Sequence, residues 1–243
     1  MKTPELLLLR VINQLAESFK DTLVLKGGML LRLYQSPRST QDVDFVLVSQ
    51  ESKKVLQPLL LKALQKIEGL HITHLDLNSR GIFIEVADDR EKALIEISIR
   101  SEMALPPEPL STAFLSQKYA LAARVVSTMA LPEAFAHKIA ASLEREVCRD
   151  LFDLSQLEAM GSFDVQILQK RLSQLSLNRS KPIAMTFSQT ADFLRNRAES
   201  LTQKTIEREL HPLLPLHYRV GILAIVKASV LRIAQRLAIM PME

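Results

Sequence analysis

The chain has 243 residues, 47% hydrophobic and 24% charged, with a net charge of +4. That length suits one large domain or two small ones, and the balance is that of an ordinary soluble globular protein, not of a disordered chain. The lone cysteine, Cys148, excludes an intramolecular disulfide and a multi-cysteine zinc site and suits a reducing cytoplasm, while the mild basic excess permits an anionic partner without demanding one.

Residues 4–19 are expected to form a helix, because Leu6, Leu9, Ile12, Leu15 and Phe19 recur every three to four residues. Arg10 interrupts the run from Leu6 to Leu9, which is too short for a secretory leader. Residues 22–25 read as a short buried strand, Gly27-Gly28 as its end, and 29–34 as the next helix. Ser36-Pro37-Arg38-Ser39-Thr40 is a loop by its turn residues, and 43–48 is a second strand. Residues 51–67 follow as a helix, kinked at Pro58 or starting near it. Alternation and turn residues then predict strands over 71–77, 82–86 and 94–99, in an antiparallel meander.

Pro106-Pro107-Glu108-Pro109 is the strongest linker signal, and 124–128 is a last short strand. Helices are expected over 132–145, 149–160, 165–175, 188–210 and 216–239. Lys227, Arg232 and Arg236 make the last of these amphipathic instead of membrane-spanning. The fold class is therefore α/β (α+β): a small mixed sheet with helices over 1–128, then a helical domain over 129–243.

The chemistry gathers around the first glycines. Asp42 and Asp44 are two apart on a strand, so they share a face, and two carboxylates plus substrate phosphates are what Mg²⁺ takes. Glu96 is the favoured third carboxylate, an acid inside the apolar run Leu94-Ile95-Glu96-Ile97, with Glu85 the runner-up by the same logic. The competing reading is that these acids mark the wet face of a sheet. Gly27-Gly28, between strand and helix, lets backbone N–H groups approach a phosphate. Lys26, Arg38, Ser39 and Thr40 are candidates to contact phosphate oxygens. A later cluster holds Lys138 among apolar neighbours and Asp150 and Asp153 three apart on one helix. Spacing alone favours a surface ion-pair set there. Arg145, Arg149, Lys170, Arg171, Arg179, Lys181, Arg195, Arg197, Arg219 and Lys227 form a possible RNA face or a solvated mixed surface.

Gly27-Gly28 followed by Asp42-Val43-Asp44 is similar to the signature of the DNA polymerase β-like nucleotidyltransferases. The strings Leu25-Lys26-Gly27-Gly28-Met29-Leu30-Leu31 and Arg38-Ser39-Thr40-Gln41-Asp42-Val43-Asp44-Phe45 more closely resemble the AbiEii/AbiGii toxin branch. There a Thr or Ala usually stands where this chain has Met29. Pro132-Glu133, Lys138 and Arg149-Asp150-Leu151-Phe152-Asp153-Leu154 resemble that branch's later motif block. The resemblance runs from about Leu23 to Leu157.

It implies a nucleotidyltransferase core and a helical domain completing the active-site cleft. It implies transfer of a nucleotidyl group from an NTP with Mg²⁺, often to a tRNA 3′ end in related toxins, and a cognate antitoxin. Carried over, Asp42 and Asp44 would hold metal, Gly27 and Gly28 the triphosphate, and Lys138 a phosphate. Asp150 or Asp153 would complete the site, and Thr40 matches a position that some relatives phosphorylate. A cytoplasmic enzyme is expected, without a membrane. The alternatives keep the fold but move the acceptor to a small molecule such as an aminoglycoside, or to a protein side chain, or leave an inactive nucleotide- or RNA-binding module.

Overall fold

The computed structural model describes residues 4–161, 163–175 and 183–240. The chain divides into two compact units, Met1–Ala130 and Leu131–Glu243. The first begins with helix α1 (Glu5–Phe19), whose Leu7, Leu8, Leu9, Val11, Ile12 and Leu15 are buried. Strand β1 (Leu23–Lys26), helix α2 (Gly27–Leu33) and strand β2 (Asp42–Val48) follow. Helix α3 (Lys53–Leu64) leads to β3 (His71–Leu77), β4 (Ile82–Ala87) and β5 (Lys92–Arg100). The unit ends with β6 (Glu108–Ser111), the short helix α4 (Ala113–Lys118) and β7 (Val125–Thr128).

These strands form one mixed sheet of order β3-β4-β5-β2-β1-β7-β6. The meander of β3, β4 and β5 is antiparallel as expected, and β5 then runs parallel to β2. Alternation sorts the side chains. Val43, Phe45 and Leu47 of β2 lie in register with Ile95, Ile97 and Ile99 of β5, giving one apolar face. Asp42, Asp44 and Val46 pair with Leu94, Glu96 and Ser98 on the other. Helix α1 packs on β1, β2, β5 and β7, and α2 packs on β1 and β2.

Two proline expectations are corrected. Pro58 does not start α3, which begins at Lys53 and continues through it. Pro58 has no N–H to offer the carbonyl four residues earlier, and that residue, Lys54, is exposed to solvent. The segment with three prolines is not a linker: Pro109 sits within β6, paired with Ser127 of β7. It is tolerated because β6 is the edge strand and needs no N–H donor on its outer side. Helix α4 has no counterpart in the sequence reading; its six residues are too few for a periodic signal.

The second unit contains α5 (Leu131–Glu144), α6 (Cys148–Ala159), α7 (Val165–Leu172), α8 (Phe187–Ser200), α9 (Gln203–Glu209) and α10 (Ile222–Ala238). α5 packs on α6 and α7, and α10 packs on α6, α8 and α9. The helix expected over 188–210 is two helices. Leu201 is extended, and the Thr202 hydroxyl accepts from Thr205 N to cap a new start. The helix expected from 216 starts only at Ile222, because Gly221 takes φ 72° just before it. No described helix is long and apolar enough to cross a membrane.

Cys148 is buried at the start of α6. Burial pushes its thiol up to about 12, and the Glu209 charge adds to the effect. At pH 8 the native protein should hold about 10³-fold less thiolate than a free thiol would. Labelling with a disulfide reagent at pH 8 should therefore be slow in buffer and prompt in denaturant; prompt native labelling would contradict this burial.

Candidate active site

The site on the sheet is built by register. Asp42 and Asp44 share one face of β2, and Glu96 stands in register beside Asp44 on the parallel neighbour β5. Glu85 pairs with Leu94, which in turn pairs with Asp42, so it lies one strand further out. With strands about 4.8 Å apart, topology places Glu96, not Glu85, next to the aspartates. Lys26 pairs with Asp44 from the other side, on β1, with its Nζ 4.0 Å from Oδ1.

The glycine pair fits tightly against these groups. Gly27 has φ +70°, a left-handed conformation that other residues adopt at a cost. A Cβ placed there would lie 2.8 Å from Asp44 Cγ. A Cβ on Gly28 would lie 2.9 Å from Thr40 Oγ1 and 3.1 Å from an Arg38 guanidinium nitrogen. Arg38 and Thr40 are themselves buried. Arg38 donates to the Ser39 carbonyl at 3.1 Å, and the Thr40 hydroxyl donates to Asp42 Oδ1. Lys26, Gly27, Gly28, Arg38, Ser39, Thr40, Asp42 and Asp44 thus belong to one neighbourhood.

Gly27→Ala should accordingly remove activity faster than stability. The added methyl displaces the Asp44 carboxylate, and the strained φ costs about 1–2 kcal/mol. A thermal melt beside a transfer assay checks this; unchanged transfer would show that the Asp44 position is not critical.

The donor set fits a hard divalent cation, since Mg²⁺ is commonly held by one or two carboxylates plus substrate phosphates. Among the described residues, no group of three or more His, Cys, Asp or Glu side chains is gathered to hold a metal ion on the protein alone. The aspartate pair is therefore the protein's offering, with Glu96 its neighbour in register.

The second unit holds a charged cluster of its own. Lys138 Nζ, on α5, lies 3.1 Å from Asp150 Oδ1 and 2.9 Å from Asp153 Oδ2, both on α6. Arg145 grips Asp150 with two bonds of 2.7 and 3.0 Å. Both aspartates are 0% exposed, so these are not the surface charges that spacing alone favours. Two buried carboxylates hold one lysine in place. Sequence reasoning named Arg145 only for a surface role and named Glu133 within the later motif block without giving it a role; Glu133 is also buried, 3.8 Å from His137 Nε2. A Glu in a helix's first turn carries no local sign of burial.

The basic side chains proposed as an RNA face are mostly engaged. Arg171 pairs with Glu144, Arg195 with Asp192 and Arg197 with Glu146, while Arg219 and Lys227 donate to backbone carbonyls. Arg179 and Lys181 lie outside the described residues.

A sheet that pairs strand aspartates with a glycine turn feeding a helix is the layout of a nucleotidyltransferase. The chain belongs to the AbiEii nucleotidyltransferase toxin family, whose model, described as the nucleotidyl transferase AbiEii toxin of a type IV toxin–antitoxin system, matches residues 10–220. None of the curated proteins compared with the chain matches it. Among solved structures, the chain is similar to JHP933 from Helicobacter pylori at 17% identity and TM-score 0.56, over 96% of this chain and 90% of that one. It is also similar to the nucleotidyltransferase toxin MenT4 from Mycobacterium tuberculosis at 17% identity and TM-score 0.58, over 98% and 83%. At such identities the likeness is one of fold. Family membership makes the protein a nucleotidyltransferase and a toxin, with an NTP substrate, typically a divalent metal, and an antitoxin partner.

Proposed function

We propose that this enzyme is a Mg²⁺-dependent cytoplasmic toxin that transfers a nucleotidyl group from an NTP to RNA, with the tRNA 3′ end as acceptor. The observation that carries it is the aspartate pair on one face of β2, with Glu96 in register beside Asp44 and the glycine turn against its carboxylate. Asp42 and Asp44 hold the cation, which when bound supplies Lewis-acid charge at the phosphate oxygens. Gly27 and Gly28 offer backbone N–H groups to the triphosphate, and Lys26, Arg38, Ser39 and Thr40 offer side-chain donors.

The acceptor hydroxyl oxygen forms a bond to the α-phosphorus. The bond from that phosphorus to the bridging oxygen breaks, and pyrophosphate leaves with the electron pair. Glu96 is assigned as third ligand or as acceptor of the hydroxyl proton. Lys138 is assigned to phosphate charge, and Asp150 and Asp153 act through Lys138 by fixing it, since both are fully buried against it.

A second reading keeps this chemistry and moves the acceptor to a small molecule or a protein side chain. The internal pairing of the basic side chains favours it, because paired cations release fewer counterions from RNA. Labelled NTPs offered separately with total RNA, an aminoglycoside panel and cell protein decide the matter. Label entering RNA, with binding that weakens steeply as salt rises, supports the first reading. Label entering only drug or protein overturns it. Nucleotide binding without turnover in any arm would point to an inactive binding module.

A further inference from the structure

Glu5 is almost wholly buried in the first turn of α1, and its carboxylate is saturated with donors. Arg32 reaches Oε1 with two nitrogens, at 2.7 and 2.6 Å. Lys118 Nζ at 2.6 Å and the Tyr119 hydroxyl at 2.7 Å reach Oε2. Burial pushes the carboxyl up, but these donors outweigh it and hold it below its ordinary value. A buried ion pair is a poor way to gain stability, since apolar side chains of the same volume often do as well. What it does is fix Arg32 in one place.

Arg32 lies on the last turn of α2, the helix that opens with Gly27-Gly28. Its remaining guanidinium nitrogen donates to the Ser36 carbonyl. The chain enters that loop through Gln35, whose φ of 65° is left-handed for a non-glycine residue, and Ser36 N returns to the Leu31 carbonyl at 2.9 Å. Ser36, Arg38 and Thr40 are then buried in turn, and the last two are the side chains against Gly28. An unbroken line of hydrogen bonds therefore runs from Glu5 through Arg32 to the loop that walls the glycine turn.

We infer that Glu5 and Arg32 are positioning residues of the nucleotide site: they set the spacing between the glycine turn and the 36–40 loop that the triphosphate requires. This rests on the reading that those residues bind the triphosphate. Arg32→Lys keeps the charge but leaves one nitrogen where the guanidinium uses three, so the brace to Ser36 is lost. Tyr119→Phe removes a bond from the same carboxylate and leaves that brace intact. Steady-state transfer and thermal melts on the full chain should show Arg32→Lys raising KM for the NTP about tenfold with kcat within about twofold, the size of effect that orienting partners have on a bound group. Tyr119→Phe should lower Tm and leave KM unchanged.

Glu5→Gln, similar in shape but uncharged, should also raise KM, and it stands in if Arg32→Lys does not fold. An unchanged KM in Arg32→Lys, or in Glu5→Gln where that stands in, or an equal rise in Tyr119→Phe, would overturn the proposal. Asp44→Asn separates the two ideas. If it transfers normally, the underlying nucleotide site is wrong. If it is inactive while Arg32→Lys and Tyr119→Phe behave alike, only the positioning role fails.

Discussion

Replacing Asp44 with asparagine will cut nucleotidyl transfer by at least about 10²-fold, the scale of losing one preorganised electrostatic group, while the protein stays folded. The two halves of this result have separate causes. Asp44 and its neighbour Lys26 are each about a quarter exposed, 4.0 Å apart, so the pair is solvent-screened and worth at most about 1 kcal/mol. Its carboxylate is nonetheless half of the only charged pair that β2 presents beside the glycine turn. Asp42→Asn should behave alike, because the amide oxygen still accepts from the Thr40 hydroxyl and only the charge is removed. Labelled-NTP incorporation beside a thermal melt checks both variants. Full activity in either one would remove the aspartate pair from the chemistry.

Lys138→Met should do the reverse and unfold the protein more readily. It strips the lysine from two carboxylates that are 0% exposed, and Asp150 keeps Arg145 as a partner while Asp153 loses its contact at 2.9 Å. Breaking a buried pair from one side costs about 3–5 kcal/mol, so Tm should fall by roughly 6–20 °C at this chain length. Lys138→Met with Asp153→Asn should recover part of that loss, because the second change removes a buried carboxylate that has lost its lysine. A melt of the single and double variants tests the coupling. Additive losses would show that Asp153 draws its support from elsewhere. Activity in the double variant should stay low if Lys138 serves phosphate charge, although stability returns.

Local reading went furthest where the signal is periodic. The strands from β1 to β5 and the helices from α5 to α7 lie within a few residues of where alternation and three-to-four spacing put them. It failed where a distant partner decides. Pro109 looks like a linker residue until β7 supplies the one hydrogen-bonded side that an edge strand needs. The break at Leu201 is hidden because the apolar pattern continues across it, and only the Thr202 cap reveals it.

The site divides in the same way. That Asp42 and Asp44 share a face follows from the period of a strand, and that Gly27-Gly28 marks a tight turn follows from the chemistry of glycine. Those two statements, with the order of the later motifs, are what the amino-acid sequence by itself determined about this protein. Tertiary structure alone decided that Glu96 and not Glu85 stands beside Asp44, because strand order and register are non-local. It alone decided that Asp150 and Asp153 are interior, since helical spacing is identical for a solvated and a buried pair. It alone joined Glu5 to Arg32 across 27 positions, because a buried charge chooses its partner by where the chain returns and not by what lies next to it in sequence.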